Sequence, residues 1–330
     1  MKLINKNDSI FIAGHKGMVG AAIKRSLEKN GYNNLLIASR SDLDLADNKA
    51  VSDWFKKNKP NIVILAAAKV GGIGSNVKYP ADFILENLKI QTNVIDNAWK
   101  NQTKRFLFLG SSCIYPKFAT QPLREEYLLN GSLEKTNEPY AIAKIAGIKL
   151  CSALKDQYGF DAISLMPTNL YGPGDNYNAM NSHVLPALIH KFFEAKINNE
   201  SEVICWGSGK PKREFLYVED LADASIFFLE NYSSDDFLIS TKKFKSDSII
   251  NIGTGKDISI KELVDLISSE IKYAGKIKWD LSKPDGTPRK LLDISKALKL
   301  GWEAKTKLKE GIRLTINEYK KELLEKSIRF

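Results

Sequence analysis

The sequence predicts an α/β fold, with a doubly wound parallel sheet followed by a smaller C-terminal α/β lobe that binds substrate. Short apolar runs alternate with longer amphipathic stretches through the first half, which is typical of parallel strands joined by helices. A glycine-rich string between the first apolar run and the first amphipathic stretch lies where such folds place a nucleotide-binding turn.

The elements follow from the period of the apolar residues. In the first half, strands are predicted at 9–13, 35–38, 62–67, 105–109 and 162–166, and helices at 19–29, 51–57, 81–100 and 140–158. In the second half, strands are predicted at 203–206, 215–218 and 249–252, and helices at 184–196, 221–230, 260–271 and 309–326. We expect a nucleotide-binding domain over 1–173, to which the chain returns around 217–232, and a mainly substrate-binding lobe over 174–330.

Composition excludes several classes of protein. The 330 residues, 43% of them hydrophobic, are ordinary for a globular chain, and no apolar run approaches the ~20 residues that span a bilayer. The polar N-terminus does not resemble a signal peptide. Three cysteines at unrelated spacings argue against a disulfide framework or a metal site. We therefore expect a cytoplasmic protein that binds neither membranes nor metal.

The net charge of +10 raises the question of a nucleic-acid partner. The lysines are scattered, and the sequence has no block of five or six basic residues and no cluster of arginine with aromatic residues. The pattern favours a solvated basic surface that attracts anionic small molecules over DNA or RNA binding.

The glycine-rich string predicts the cofactor site of a Rossmann-type domain. Its glycines allow a tight turn and close approach to a pyrophosphate, and the helix that follows presents amide donors to the phosphates. The predicted contacts of this loop are Gly14, His15, Lys16, Gly17, Met18, Val19 and Gly20.

The end of the second strand indicates which dinucleotide is bound. Ser39 and Arg40 suit a ribose 2′-phosphate, and Lys16 is a further cation for it, so we predict NADP(H). The alternative is that Arg40 is a surface residue and that Asp42 or Asp44 binds a free ribose hydroxyl.

A reductase set follows the fourth strand. Tyr140 and Lys144 form a Tyr-x-x-x-Lys pair on one helix face, and Ser111 ends the preceding strand. Such pairs arise by chance, so the context carries the inference. Serine would bind a carbonyl oxygen, and tyrosine would exchange its proton. We expect the ammonium of Lys144 to lower the pKa of Tyr140.

Cys113 and His183 predict a second chemistry. Most free cysteines are small buried residues, and a lone histidine before a helix is often a cap or a surface residue. Cys113, however, lies in the loop after a parallel strand, where such sheets bind ligands. A thiolate there could remove a carbon-bound proton, with His183 as its partner.

These features together resemble the extended short-chain dehydrogenase/reductases, and more narrowly the GDP-L-fucose synthase family. The more specific segments are Ser111–Pro116, Asn181–His183 and Asp285–Lys290; further matches are Gly14–Gly20, Asn137–Lys144, Met166–Pro173 and Trp206–Gly209. The resemblance implies NADPH-dependent 3,5-epimerisation and 4-reduction of GDP-4-keto-6-deoxy-D-mannose, by a homodimer. The alternative is another nucleotide-sugar epimerase or reductase on the same scaffold.

The resemblance also implies residue roles. Tyr140 would be the proton donor, Lys144 would hold the nicotinamide ribose, Ser111 would align the ketone, and Cys113 and His183 would be base and acid. Further cofactor contacts would be Leu109, Gly110, Pro167, Thr168, Asn169, Leu170 and His183. GDP-sugar contacts would be Lys191, Trp206, Arg213, Lys276, Asp285 and Lys290. Lysine replaces the family's arginine at positions 16, 191 and 276, which keeps the charge but loses the bidentate fork.

Overall fold

The computed structural model describes residues 2–178, 182–237, 248–283 and 285–329. Asn181, from one of the segments that carry the resemblance, lies outside these ranges. The strands are β1 Ile10–Ala13, β2 Leu35–Leu36, β3 Ile62–Leu65, β4 Arg105–Leu109, β5 Ala162–Pro167, β6 Asn169–Tyr171, β7 Glu202–Trp206, β8 Lys212–Tyr217, β9 Ile249–Ile252, β10 Asp257–Ser259, β11 Lys276–Asp280 and β12 Arg289–Lys290. The helices are α1 Met18–Lys29, α2 Asn48–Asn58, α3 Ile73–Lys78, α4 Pro80–Lys100, α5 Glu138–Tyr158, α6 Val184–Ile197, α7 Val218–Asn231, α8 Ile260–Ile271, α9 Ser295–Lys299 and α10 Leu308–Leu324.

Six parallel strands form the main sheet, in the order β2-β1-β3-β4-β5-β9. Strands β1, β3, β4 and β5 are buried along their whole length, as expected of strands covered on both faces. The predicted α/β class and doubly wound sheet are confirmed. The chain order reverses across β1, so the ligand crevice of such a sheet is expected at the carboxyl ends of β1 and β3.

Two apolar cores cover the faces of the main sheet. One contains the buried side chains of α1 and α7 against β1, β3 and β4. The other contains side chains of α2, α4 and α5. Helix α7 packs against α1, because its apolar residues, such as Leu221 and Phe228, are fully buried in the first core. The chain therefore reaches the main sheet again after β8.

A separate core lies under the shorter strands. Strand β8 pairs in parallel with β6 and β12 and antiparallel with β10, while β7 pairs with β11. Helices α6, α8 and α10 contribute apolar side chains such as Phe192, Ile267 and Ile316 to this core. None of the helices among the described residues is long and apolar enough to cross a membrane.

The structure adds elements that the sequence pattern does not reveal. Strands β6, β10 and β12 have two or three residues, too few to display a period. Strand β9 was predicted as a strand within the range of the C-terminal lobe. In the structure it instead forms the edge of the main sheet, beside β5. Residues after 173 thus supply strand β9 to the main sheet and helix α7 to the core that covers one of its faces.

Candidate active site

The turn after β4 places two predicted residues at the carboxyl end of the main sheet. Strand β4 ends at Leu109, and Ser112–Ile114 form a short 3₁₀ turn. The Ser111 hydroxyl accepts a hydrogen bond from the Cys113 amide at 3.3 Å. Both side chains lie near helix α5, where Ser111 hydrogen-bonds Tyr140 and Cys113 contacts Asn137 at the helix start.

Lys144 comes from the first half of α5 and is almost completely buried, with 4% of its surface exposed. Its ammonium donates a hydrogen bond of 2.8 Å to the Leu109 carbonyl and lies 5.9 Å from the centre of the Tyr140 ring. Burial lowers the pKa of Lys144 to about 8. The lysine is thus anchored to the strand that carries the serine.

Tyr140 differs from expectation. Burial raises its pKa, the charge of Cys113 raises it further, and a hydrogen bond with Ser111 opposes both. The predicted lowering by Lys144 was wrong, because the loss of water around the phenol outweighs a cation almost 6 Å from its ring. Tyr140 therefore retains its proton at neutral pH, which suits a proton donor.

Two nitrogen donors from distant parts of the chain hold Cys113. Asn137 Nδ2 lies 3.2 Å from its sulfur, and Lys290 Nζ lies 3.3 Å from it. Burial raises the pKa of Cys113, but the Lys290 charge, hydrogen bonds from Ser111 and Lys290, and the Arg213 charge outweigh burial and lower the pKa overall. The sulfur is thus biased toward the thiolate.

Asn137 is a residue that sequence reasoning missed. It is the N-cap residue of α5, three positions before Tyr140, and no side-chain capping bond is formed there among the described residues. An asparagine at a helix start usually binds the first-turn amides, so a cap would have been the natural prediction. Its side chain instead contacts the thiol.

Pairing between β12 and β8 brings the second donor. Lys290 lies opposite Arg213 in the register of these strands. The Arg213 guanidinium donates to the Lys212 carbonyl at 2.8 Å and also to that of Thr287. Two cations therefore stand side by side next to Cys113.

His183 precedes α6 as its N-cap residue. His183 is exposed at the surface, yet the surrounding protein removes enough water to lower its pKa, and the charge of Lys290 acts in the same direction. Lys290 therefore influences both members of the predicted base and acid pair. A small cleft that is open to solvent also adjoins Cys113, Asn137 and Lys290.

The glycine-rich loop fits a dinucleotide. Gly14 has φ +94°, and a Cβ there would lie 2.7 Å from the Ala67 nitrogen, so only glycine fits. Helix α1 starts after Gly17 with no side-chain cap among the described residues, which leaves its first amides available to phosphates. His15 Nδ1 is buried and has no hydrogen-bond partner within the described chain. Met18, Val19 and Gly20 form the first turn of α1, and Lys16 is exposed.

The residues after β2 are already engaged with one another. The Asp42 carboxylate accepts hydrogen bonds from the Ser39 amide at 3.0 Å and from the Ser39 hydroxyl. Arg40 is exposed and lies 3.4 Å from Glu86. Asp42 thus orients Ser39, and the exposed contact between Arg40 and Glu86 is of a kind that contributes little to stability.

The other predicted cofactor residues lie around the ends of β4 and β5. Leu109 ends β4, Gly110 follows it, and Pro167 ends β5. Thr168 and the first residue of β6, Asn169, both donate hydrogen bonds to the Glu214 carbonyl, at 3.2 and 2.7 Å. Leu170 packs against the first core.

The predicted GDP-sugar contacts do not all come together. Trp206 ends β7 and is 68% exposed, and Lys283 Nζ lies 5.6 Å from its ring. Asp285 accepts hydrogen bonds from the Ser208 amide at 2.9 Å and the Ser208 hydroxyl at 2.6 Å.

Lys191 and Lys276 are placed differently. Lys191 on α6 binds the Ile204 carbonyl. Lys276 begins β11 opposite Glu202, at the other end of the strand pair from Trp206, roughly 13 Å away at the usual rise of a strand. The structure therefore does not bring Lys276 to the other contacts, whereas Lys283, which was not predicted, lies beside Trp206.

Comparisons with known proteins identify the family of the chain. The sequence profile of the NAD dependent epimerase/dehydratase family matches residues 10–253. The chain belongs to this family. The predicted resemblance to the GDP-L-fucose synthases is also confirmed: GDP-L-fucose synthase 1 of Arabidopsis thaliana is 53% identical over 317 residues, which cover 96% of this chain and 94% of the relative.

Solved structures of the epimerase/dehydratase family superpose closely on the chain. A GDP-6-OMe-4-keto-L-xylo-heptose reductase from C. jejuni has a TM-score of 0.92 at 40% identity, covering 97% of this chain and 99% of that one. A GDP-mannoheptose C4 reductase from Campylobacter jejuni with NADP bound has a TM-score of 0.87 at 40% identity, covering 96% and 99%.

Proposed function

We propose that the chain catalyses NADPH-dependent 3,5-epimerisation and 4-reduction of GDP-4-keto-6-deoxy-D-mannose to GDP-L-fucose. The observation that carries the proposal is the joint placement of a proton-retaining Tyr140 and a thiolate-biased Cys113 around Ser111. One pocket thus offers an acid for a carbonyl oxygen and a base for a carbon-bound proton.

Epimerisation uses the cysteine side of the site. The 4-keto group of the substrate acidifies the protons on C3 and C5. Cys113 removes a proton from one face, while Ser111 and Tyr140 donate hydrogen bonds to the enolate oxygen. Protonated His183 returns a proton to the opposite face. Cys113 then releases its proton to solvent and His183 takes one up from solvent, and repetition at the second carbon inverts both centres.

Reduction uses the tyrosine side. NADPH, when bound, supplies hydride to C4. Tyr140 protonates the oxygen that was the ketone, and Ser111 keeps that oxygen in line. Lys144 would hold the nicotinamide ribose, the loop Gly14–Gly20 suits the pyrophosphate, and Ser39 with Arg40 suits the 2′-phosphate.

The proposal divides the chain as the sequence suggests. Residues 1–173, with the return at 217–232, would bind NADP(H), and most of 174–330 would bind the GDP-sugar. Lys191, Trp206, Arg213, Asp285 and Lys290 remain the proposed sugar-nucleotide contacts. The position of Lys276 gives it no support as a further one.

The proposal includes a homodimer in the cytoplasm. All three cysteines are free thiols, as suits a reducing compartment. Large apolar side chains are exposed on α3, α4 and α5, among them Val77, Leu85 and Ile142, which suits helices that meet a second copy. Light scattering of the purified chain tests the dimer, and a monomer mass would refute it.

The second candidate is a 4-reductase without epimerase activity. It is favoured by the likeness to the C4 reductase and by the fact that Ser111, Tyr140 and Lys144 suffice for reduction. Incubation with NADPH and GDP-4-keto-6-deoxy-D-mannose in D₂O separates the two. Loss of NADPH absorbance with deuterium at C3 and C5 and an L-galacto product by NMR supports the main proposal. NADPH loss with no deuterium at either carbon would leave only the reductase.

A further inference from the structure

We propose that Lys290 and Asn137 are positioning residues that hold Cys113 as a thiolate before substrate binds. The inference deepens the proposed function, since it rests on Cys113 as the epimerisation base. It gives Lys290 a role in addition to contact with the GDP-sugar, and it assigns Asn137 its first role.

The geometry around the sulfur consists of donors. Asn137 Nδ2 and Lys290 Nζ approach it at 3.2 and 3.3 Å, and Ser111 completes the contacts through its hydroxyl. An ammonium has three donors and no acceptor, so Lys290 can only treat the sulfur as an acceptor. A thiolate accepts such bonds far better than a thiol, because they become charge-assisted.

The orientation of the Asn137 amide agrees with this assignment. Its nitrogen faces the sulfur, while its buried Oδ1 has no partner among the described residues. The reverse orientation would place a carbonyl oxygen against a negatively charged sulfur. The chain therefore forgoes a capping bond at the start of α5 and uses the side chain on Cys113.

The remaining charges around Cys113 do not replace Lys290. Arg213 is the second cation that acts on the thiol, but its guanidinium is bound to two carbonyls. Lys117 and Glu134 line the same cleft and pair with each other at 2.8 Å. The titratable and charged groups facing the cleft or the thiol from the described elements are Tyr115, Lys117, Glu134, Tyr140, Arg213, Arg289 and Lys290, with His183 beside Lys290.

The test is the pKa of Cys113 in the resting enzyme, measured without substrate. Iodoacetamide alkylation is followed against pH, and the modified peptide is quantified by mass spectrometry. Cys151 and Cys205 are buried and their pKa values are raised, so they provide a low background, which Cys113→Ser confirms. The variants are compared by the pH at which alkylation is half-maximal, not by the alkylation rate. A variant that changes only the access of iodoacetamide to the thiol therefore leaves this midpoint unchanged.

We expect Lys290→Met to raise this pKa by roughly one unit or more, which moves the midpoint of alkylation to a higher pH by the same amount. Lys290→Arg should keep most of the lowered pKa, and Asn137→Ala should raise it by a smaller amount. Lys117→Met is the matched control, since it removes a lysine from the same cleft, and it should not move the midpoint.

An unchanged midpoint in folded Lys290→Met would overturn the inference. If that variant does not fold, Lys290→Gln and Asn137→Ala decide, and two unchanged midpoints reject it. Failure of the proposed function gives a different result. The pKa of Cys113 would shift as expected in the variants, but the wild-type enzyme would put no deuterium on C3 or C5. If the enzyme epimerises its substrate but Lys290→Met leaves the midpoint of Cys113 alkylation unchanged, only the present inference is refuted.

Discussion

The two sides of the active site are built in opposite ways. Ser111 lies in the turn after β4, Tyr140 and Lys144 lie on α5, and burial keeps the tyrosine protonated. Cys113 instead has donors from α5 and from β12, and cations overcome burial to favour its charged form. Low solvation thus makes an acid on one side, while added charge makes a base on the other. A single pocket can hold both because their pKa values are moved in opposite directions.

The strongest way to break this comparison is Cys113→Ser. A serine hydroxyl is hardly ionised at neutral pH, so solvent deuterium at C3 and C5 should fall by about 10²- to 10⁴-fold. NADPH titration and circular dichroism should match the wild-type protein. Exchange at the wild-type rate would remove Cys113 from the mechanism.

Tyr140→Phe tests the other side. Without the phenol, reduction should fall by a comparable factor of about 10² to 10⁴, as measured by NADPH consumption. Deuterium should still enter C3 and C5, though more slowly, because Ser111 still binds the enolate oxygen. If both activities vanish together in a folded variant, the two sides do not act separately.

The pH dependence sharpens the contrast at about tenfold per unit. Cys113 works deprotonated and its pKa is lowered, so exchange at C3 and C5 should extend to a lower pH than an ordinary thiol allows and should fall once the pH drops below that pKa. Reduction of the already epimerised ketone should be flat over the same range, because Tyr140 stays protonated. It should weaken as pH rises through about 8, where Lys144 loses its charge. If exchange and reduction both lost activity over the same acidic pH range, the separation between the two sides of the site would be contradicted.

The smallest effect concerns stability. Charged Lys144 opposes folding because its pKa falls from an ordinary 10.5 to about 8 on burial. Lys144→Met should raise the free energy of unfolding by about 1–2 kcal/mol at pH 7, after the lost bond to the Leu109 carbonyl is subtracted, and should abolish reduction. The gain should shrink above pH 8, where the lysine becomes neutral. Urea unfolding at pH 7 and at a pH above 8 measures the gain in the free energy of unfolding. An equal gain at the two pH values would contradict the lowered pKa of Lys144.

The reductase side of the site could be predicted from the sequence more fully than the cysteine side. The reductase side depends on local patterns: a buried strand, a helix with four-residue spacing and a glycine-rich turn. Each has a period or a motif that a single sequence displays. The main elements, from β1 to α5, therefore lie within a few residues of their predicted bounds.

The cysteine side depends on pairing between distant segments. Lys290 reaches the thiol because a two-residue strand pairs with β8, and so short a strand has no period to detect. Asn137 would have been assigned as a helix cap. The pKa of Tyr140 was mispredicted because the sequence shows which groups are near, but not how much water burial removes.

Strand β9 has a consequence for how the protein is made. It completes the main sheet beside β5, yet it is translated only after α6, α7 and much of the lobe. Until the ribosome has passed residue 252, β5 presents an open row of backbone donors and acceptors along an apolar strand. Such edges recruit other chains. Truncations that stop before β9 would therefore tend to precipitate, and a soluble piece of the cofactor domain would need these late residues grafted back onto it.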